Sequence, residues 1–265
     1  TGSAVGKAVA RLEARLATRL FERTTRRLRL TDAGEAFYRT CVRVLGELES
    51  AEQVLAAEHL EPAGRLRVDL PALYGRLKVM PLLLEFAQRH AAVQPQVSFT
   101  DRFVDVVDEG IDVAVRIGGS VQLPAGLGQR LLGRERLVFC ASPAYLERRG
   151  APDSLQALAG HDAVAYGRTD AGMSAWQSSA GAIAVQPRMV LGDGEAVVAA
   201  VMAGCGIAQL ATWMVEAPLR DGHLLRLLPG AEVDGLPLHL VWPRSRQLLP
   251  KVDALLRHLA QGLTI

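Results

Sequence analysis

The sequence has few cysteines, few aromatic residues and no apolar run long enough to span a membrane. Its three cysteines, Cys41, Cys140 and Cys205, are far apart and form no CxxC pair, a pattern that predicts neither a disulfide framework nor a zinc site. No basic segment followed by an apolar one opens the chain, so no secretory signal is predicted. These absences favour a cytoplasmic protein that uses no metal or cofactor and does not bind a membrane.

Recognisable catalytic motifs are absent as well. The sequence contains no GxSxG elbow, no HExxH pair and no glycine-rich phosphate loop. Its six histidines are scattered along the chain, and spacing alone assigns no nucleophile, base and orienting group. Because distant residues can converge in a fold, an enzyme is a rival interpretation, but a protein that is not an enzyme is favoured.

The sequence does contain a strongly basic start on a mildly acidic body. The first thirty residues hold eight Lys and Arg against two Glu, while the whole chain carries a formal net charge of +2. Such an asymmetry is typical of a phosphate-binding module joined to a domain that does not bind nucleic acid. Charge alone would also permit binding to an acidic protein or membrane.

The first twenty residues have the periodicity of an amphipathic helix. Its apolar positions recur three or four residues apart, at Val5, Val9, Leu12, Leu16 and Leu20. Small and basic residues, among them Gly6, Lys7 and Arg11, lie off this stripe. Small residues near a helix start allow close approach to base edges, so the segment is predicted to be a DNA recognition helix. A plain solvated helix is the alternative.

A basic turn between two short apolar segments follows at 20–30 and predicts a β-hairpin wing. Seven consecutive residues of this segment, 23–29, include four arginines and two threonines. Their side chains suit contacts with phosphate oxygens, which fix the register on DNA without reading its sequence. The alternative is a solvent-exposed hairpin that does not contact DNA.

A long helix is predicted after the hairpin, with Thr31 or Asp32 as its cap and Glu35 completing a capping box with Asp32. Its apolar residues then alternate four and three apart, at Phe37, Cys41, Val44, Leu48, Ala51 and Leu55. This heptad seam predicts that the helix pairs with a second copy of itself. The alternative is a helix packed on its own domain.

After a hinge at 61–64, where proline and glycine end the helix, strand and helix patterns alternate. Strands are predicted at 66–70, 96–99, 111–117, 136–141, 163–166 and 237–242. Helical segments are predicted at 79–89, 104–109 and 195–203, with an amphipathic helix through 252–259. This order predicts a mostly parallel sheet arranged as two α/β lobes.

The start of the chain resembles the LysR-type transcriptional regulators. The resemblance rests on Ser3-Ala4-Val5, Lys7, Leu12-Glu13, Arg19-Leu20-Phe21-Glu22-Arg23-Thr24-Thr25-Arg26 and Leu30-Thr31-Asp32-Ala33-Gly34. Two departures are Gly6, where a serine is common, and Ala17, where a glycine usually ends the helix. Because alanine tolerates positive φ poorly, Ala17 is expected to strain or extend that helix end.

The resemblance implies an α/β effector domain of two lobes, like that of the periplasmic solute-binding proteins, preceded by a partial winged helix-turn-helix and a long linker helix. The implied units are the recognition helix and wing at 1–31, the linker or dimerisation helix at 32–60, the hinge at 61–64, lobe I at 65–141, lobe II at 142–240 and a return to lobe I at 241–265. Since a helix-turn-helix needs an earlier helix, we expect about fifty residues of the usual domain to precede Thr1.

The resemblance also implies the residues of each site. DNA contacts are expected from Thr1, Gly2, Ser3, Gly6, Lys7, Arg11, Arg23, Thr24, Thr25, Arg26 and Arg27. Dimerisation is expected through Phe37, Cys41, Val44, Leu48 and Leu55. The effector is expected between the lobes, near Ala72, Leu73, Tyr74, Thr100, Arg102, Phe103, Arg116, Ile117, Cys140, Asp193 and Gly194.

Two features of these residues favour an anionic group on the effector. The turns at 71–75 and 192–195 open helices whose free amides could receive a carboxylate, and Arg116 at a strand end is the strongest candidate for a polar contact. Such turns are common in α/β proteins, however, and Arg116 could simply pair on the surface. A redox role for Cys205 is a minor alternative to a buried thiol in a tight turn.

The sequence therefore predicts a DNA-binding transcriptional regulator whose promoter binding is modulated by a small organic effector. Effector binding would shift lobe closure and change how paired recognition helices meet double-stranded DNA. In the resembling family, dimers commonly associate into tetramers. The other rival, a free-standing solute-binding protein, would leave the basic hairpin and the heptad helix without a role.

Overall fold

The computed structural model describes residues 2–23, 28–56, 61–102, 104–119, 123–168, 172–173, 175–183, 185, 187–263 and 265. The helices are α1 Gly2–Leu16, α2 Asp32–Ala56, α3 Ala72–Tyr74, α4 Met80–Arg89, α5 Pro143–Arg149, α6 Gly194–Met202, α7 Thr212–Arg220 and α8 Pro250–Gly262. The strands are β1 Phe21–Arg23, β2 Leu28–Leu30, β3 Gly64–Leu70, β4 Val93–Phe99, β5 Val113–Ile117, β6 Leu127–Ala141, β7 Ala163–Arg168, β8 Gly172–Met173, β9 Trp176–Ser178, β10 Gly181–Ile183, β11 Pro187–Leu191, β12 Ala208–Ala211, β13 Leu225–Leu227 and β14 Val233–Pro243.

Helix α1 ends where the sequence places an alanine instead of a glycine. The helix stops at Leu16, and Ala17 takes the left-handed conformation, with φ at 49°. The helix end is therefore strained at Ala17 and not extended beyond it. The carboxylate of Glu13 accepts hydrogen bonds from the amides of Leu20 at 2.8 Å and Phe21 at 3.1 Å, which ties α1 to the hairpin that follows.

The hairpin β1–β2 pairs antiparallel, with Phe21 opposite Leu30, and α2 packs closely against its base. Thr31 caps α2, because its Oγ1 accepts a hydrogen bond from the amide of Gly34 at 2.9 Å. Glu35 forms an ion pair with Arg39 instead of completing the predicted capping box. A Cβ at Gly34 would lie 2.0 Å from the carbonyl oxygen of Leu20, so this contact requires glycine.

The main sheet has seven strands in the order β12-β6-β14-β5-β3-β4, with β13 also pairing with β6. Strand β3 is parallel to β4 and β5, whereas β14 and β6 pair antiparallel with each other and with their other neighbours. The prediction of a mostly parallel sheet is therefore wrong for this main sheet, in which only the strands β4, β3 and β5 pair parallel to one another. The reason is that two long strands carry the chain from one lobe to the other and back.

The chain changes lobe within β6 and returns within β14. Leu137 of β6 pairs both with Val233 of β14 and with Ala211 of β12. Before Leu137, β6 pairs with β14, and after it with strands that follow the crossing. The two lobes therefore meet at Leu137 and Val233.

The implied lobe boundaries at 141 and 240 shift accordingly. Cys140 already belongs to the core of lobe II with Val138, and Leu238 and Leu240 already belong to the core of lobe I. Each boundary lies inside a long strand, because the lobes divide where the pairing partner of that strand changes and not at a turn in the chain.

Lobe I has its core between the sheet and the helices α4 and α8. Leu66 and Leu70 of β3 pack there with Phe86 of α4 and Leu255 of α8. Lobe II carries two further clusters, one between its strands and α6 and α7, the other beneath α5. In β3, Leu66, Val68 and Leu70 are buried in the core of lobe I, and Asp69 between them is buried as well.

Most predicted elements are found with longer bounds. The strand predicted at 136–141 begins at Leu127, and the strand predicted at 237–242 begins at Val233. The helix predicted at 79–89 is preceded by a π-helical turn, Gly75–Val79. No helix within the described ranges is both long enough and apolar enough to cross a membrane.

Candidate functional site

A cavity of about 620 Å³ lies between the two lobes, a size that suits a small organic molecule. Lobe I contributes Pro71, Leu73, Tyr74, Thr100, Asp101, Arg102, Arg116 and Ile117 to its walls. Lobe II contributes Tyr166, Ala175, Trp176, Gln177, Gly194, Gln209, Leu210, Ala211, Trp213 and Met214. The crossing strands β6 and β14 supply Glu135, Leu137, Asp234, Gly235 and Leu236. The cavity is therefore bounded by both lobes and by the strands that join them.

Most of the predicted effector residues meet at this cavity. Leu73, Tyr74, Thr100, Arg102, Arg116, Ile117 and Gly194 line it. Ala72 and Asp193 lie beside it at the starts of α3 and α6, and Phe103 lies outside the described residues. The prediction that Cys140 contacts the effector is wrong. Its side chain is fully buried in the core of lobe II, because its position on β6 turns it away from the cleft. Burial raises the pKa of its thiol to about 12.

At each of the two helix starts that were expected to receive an anion, one amide already has a carboxylate partner. The Asp101 carboxylate accepts a hydrogen bond from the amide of Ala72 at 2.9 Å. In lobe II, the Asp193 carboxylate accepts one from the amide of Ala196, also at 2.9 Å. One carboxylate of the protein therefore caps each helix start, at the amides of Ala72 and Ala196.

Arg116 forms a buried ion pair. Its Nη1 donates to Asp69 Oδ2 at 2.6 Å and to the carbonyl of Val115 at 3.0 Å, and Asp69 also accepts from the hydroxyl of Ser98. Both members of the pair are more than nine-tenths buried. Nη2 of Arg116 has no hydrogen-bond partner within the part of the chain that the structure describes. The positive charge at the strand end is therefore already balanced by Asp69.

Glu135 is the buried acid of the cavity, and the sequence analysis missed it. Its side chain accepts hydrogen bonds from Trp213 Nε1 at 2.9 Å and from the amide of Leu236 at 3.2 Å. Burial raises its pKa, and these two hydrogen bonds offset only part of the rise. Glu135 lies between Arg134 and Arg136, just before the strand that was predicted at 136–141. Alternation along β6 with Leu137 was the signal that could have identified it.

Aromatic side chains from the two lobes meet beside this acid. The rings of Tyr74 and Trp213 pack edge to face, with their centroids 5.1 Å apart. Burial, together with the charge of Glu135, raises the pKa of Tyr74. Trp176 is buried in lobe II and also lines the cavity. The cavity therefore combines an aromatic wall with one buried carboxylate.

Two ion pairs bridge the lobes at the mouth of the cleft. Arg76 lies 2.9 Å from Glu195 of α6, and Lys78 contacts Glu216 of α7. The Lys78 ammonium holds the pKa of Glu216 below its ordinary value. All four side chains are partly exposed, so salt screens these pairs and they hold the lobes together only weakly.

The predicted DNA-binding residues are partly described. Lys7 and Arg11 are exposed on α1, and Gly6 has open space around it. Gly2, Ser3 and Arg23 are described only by the elements that hold them, α1 and β1. Thr1, Thr24, Thr25, Arg26 and Arg27 lie outside the described residues. On the apolar stripe of α1, Val5 and Leu16 are exposed, whereas Leu20, which was predicted on the same stripe, lies beyond the end of α1 and is buried.

Helix α2 presents apolar side chains to solvent along the predicted seam. Val44 and Leu48 are exposed, while Phe37 and Cys41 are half-buried. The side chain of Leu55 lies outside the described set. Tyr38 and Leu45 are also exposed, and the sequence analysis missed them. Each follows a residue of the predicted seam, Phe37 or Val44, and the two lie seven residues apart, so they widen the apolar stripe on one side.

Both the first part of the chain and the two-lobed part match the models of known protein families. Residues 1–35 match the family model "Bacterial regulatory helix-turn-helix protein, lysR family", and residues 59–264 match "LysR substrate binding domain". The HTH-type transcriptional regulator YhjC of Escherichia coli is 33% identical over 251 residues, which cover 90% of this chain and 81% of that protein. The regulator CrgA of Neisseria meningitidis is 32% identical over 230 residues, covering 85% and 76%.

The solved structure of the LysR-type transcriptional regulator CrgA from Neisseria meningitidis superposes with a TM-score of 0.69 at 28% identity. That match covers 98% of this chain and 89% of the solved one. The full-length structure of the Vibrio cholerae virulence activator AphB matches with a TM-score of 0.66 at 24% identity, covering 99% and 90%. At 24% identity, the match to AphB shows a shared fold only.

Proposed function

The chain belongs to the LysR-type transcriptional regulators, which bind DNA and respond to a small-molecule effector, and we propose that its effector occupies the cavity between the two lobes. The observation that carries this proposal is the composition of the cavity wall, which draws on lobe I, on lobe II and on the crossing strands β6 and β14. A ligand that contacts both lobes binds the closed arrangement more tightly than an open one. Only such differential affinity can shift the balance between the two arrangements.

The proposed DNA-binding surface consists of the start of α1 and the wing. Its members are Thr1, Gly2, Ser3, Gly6, Lys7, Arg11, Arg23, Thr24, Thr25, Arg26 and Arg27. The exposed positive charges of Lys7 and Arg11 support contacts with phosphate groups, whereas the small residues beside them permit approach to base edges. We assign the chain no catalytic step, and we place its action in the cytoplasm, where bacterial DNA lies.

The proposed dimer forms through α2. The exposed Val44, Leu45 and Leu48 would be covered by the same residues of a second copy, which is how a heptad stripe removes apolar surface from water. Pairing two recognition helices suits a site with two half-sites. Association of dimers into tetramers through the effector lobes is the further step that the family suggests.

The test is a fluorescence-anisotropy titration of the full-length protein with the DNA between its own gene and the neighbouring gene. A scrambled fragment of equal length is the control, and both are measured at several salt concentrations. Tight, salt-sensitive binding that favours the native fragment is the expected result. Equal, weak binding to both fragments would mean that only unspecific electrostatic attraction is present, which would contradict sequence-specific regulation.

A further inference from the structure

Carboxylates of the protein itself lie at the places where an anionic group of the effector was expected. Asp101 and Asp193 already occupy the two helix starts, and Asp69 already balances the buried Arg116. Of the two positive side chains that line the cavity, Arg102 is exposed, and Arg116 keeps one donor, Nη2, without a partner within the described residues. An incoming carboxylate would therefore have to compete with carboxylates that are held in place by the fold.

The buried acid of the cavity has the opposite character. Glu135 is 7% exposed, and its two hydrogen-bond donors, the Trp213 indole and the Leu236 amide, are both neutral. Among the described residues, no Lys, Arg or His makes an ion pair with it, in contrast to the pairing of Asp69 with Arg116. A carboxylate has about four acceptor positions, so further donors can still bind to Glu135. A buried carboxylate without a cation is costly and gains from one that arrives with a ligand.

The walls next to Glu135 suit the rest of such a ligand. Trp213 and Tyr74 stand against each other at a ring distance of 5.1 Å, and Trp176 and Tyr166 line the same cavity. Aromatic faces attract cations and also pack well against an apolar or aromatic body. The cavity volume of about 620 Å³ accommodates a molecule of that kind.

We propose that the effector is an organic cation, a protonated amine on an apolar or aromatic body, whose ammonium group donates hydrogen bonds to Glu135 beside the packed rings of Trp213 and Tyr74. This proposal rests on the proposed function, because it specifies the class of ligand for the same cavity. It replaces the anionic group that the helix starts and Arg116 had suggested.

The test compares matched probes on the full-length protein without DNA. Each of a set of primary amines, with 2-phenylethylamine as its simplest member, is titrated beside the alcohol and the carboxylate of closely similar skeleton, here 2-phenylethanol and 3-phenylpropanoate. Binding is followed by tryptophan fluorescence, since Trp213 and Trp176 line the cavity, and by calorimetry. We expect amines to bind at least about tenfold more tightly than their alcohols and carboxylates.

Two variants make the result specific to the buried acid. In Glu135→Gln, which keeps the size of the side chain, the preference for amines should disappear. In Asp253→Asn, which removes an exposed carboxylate of α8 that lies outside the cavity and pairs with Arg257 at 2.6 Å, the preference should remain. Carboxylates that bind as tightly as amines, a set in which no amine binds, or an unchanged preference in Glu135→Gln would each overturn the proposal.

Adding the best amine to the DNA titration separates this proposal from the proposed function. A change in DNA affinity for the wild type but not for Glu135→Gln supports both. A protein that binds its own DNA and responds only to carboxylates overturns the amine and leaves the regulator intact. An amine that binds in the cavity and leaves DNA affinity unchanged overturns its role as the effector.

Discussion

The indole of Trp213 donates a hydrogen bond of 2.9 Å to Glu135, and this contact joins helix α7 of lobe II to the strand that leaves lobe I. Trp213 also packs edge to face against Tyr74 of lobe I. One side chain therefore contacts the buried acid of the cavity and the opposite lobe at once. A change at Trp213 should accordingly affect both ligand binding and lobe closure.

Replacing Trp213 with phenylalanine should lower both the ligand affinity and the stability of the protein. The variant keeps an aromatic ring but leaves Glu135 without one donor, which costs about 1 to 3 kcal/mol. The matched control is Trp242→Phe, because Trp242 Nε1 donates to Gln247 at 3.0 Å away from the cavity. Calorimetry on both variants should find ligand affinity lowered only in Trp213→Phe. Equal losses in the two variants would contradict a role for Trp213 in the cleft.

Removing the acid of the buried ion pair should destabilise lobe I. In Asp69→Asn the Arg116 guanidinium remains buried without its counter-charge, and we expect a loss of about 3 kcal/mol in the free energy of unfolding. Glu85→Gln, which breaks the exposed pair with Arg89, is the control and should cost no more than about 0.5 kcal/mol. Urea denaturation measures both. A cost for Asp69→Asn as small as that of the control would show that the pair contributes little to the fold.

Adding one methyl group at Gly34 should disrupt DNA binding. Gly34→Ala would place a Cβ 2.0 Å from the Leu20 carbonyl oxygen, so α2 and the hairpin could not keep their present contact. Gly46→Ala lies in the same helix with no atom nearer than 4.0 Å and should gain up to about 1 kcal/mol of helix stability. Anisotropy titrations should find DNA binding lost in the first variant and kept in the second. Retained DNA affinity in Gly34→Ala would mean that the contact is dispensable.

A charge on the exposed stripe of α2 should separate the proposed dimer. Leu48→Asp places a carboxylate where two copies would bury leucine, and analytical ultracentrifugation should then find a smaller assembly than for the wild type. Thr40→Asp, at an exposed polar position of the same helix, should leave the mass unchanged. If Leu48→Asp also kept its mass, contacts other than α2 would have to hold the copies together.

The pH dependence of stability should carry the signature of Glu135. Because burial raises its pKa in the folded protein, its contribution is fully present below the pKa of the unfolded chain and is lost as the pH rises through the folded-state pKa. Tyr74, which lies nearby on α3, also has a raised pKa and stays protonated in this range. The stability of the wild type relative to Glu135→Gln should therefore fall as the pH rises above about 4, the ordinary pKa of a glutamate in the unfolded chain. Parallel curves for the two proteins would contradict the raised pKa.

Much of the first half of the fold was predictable from local pattern. The spacing of apolar residues predicted α1, and the seam from Phe37 onward predicted α2. The conformation of Ala17 followed from its place at a helix end that usually carries glycine. These features depend on neighbours within a turn or two along the chain. Local periodicity reports such neighbours directly.

Sequence pattern therefore predicted the family resemblance, the basic start, the helices α1, α2, α4, α6 and α8, and the presence of two α/β lobes. The tertiary structure alone decided the direction of the long strands, the crossing at Leu137, the capping of Ala72 by Asp101 and the position of Glu135 beneath Trp213. Glu135 and Trp213 are separated by 78 residues. Such partners are chosen by the packing of whole strands and helices, and no periodicity within a single element records that choice.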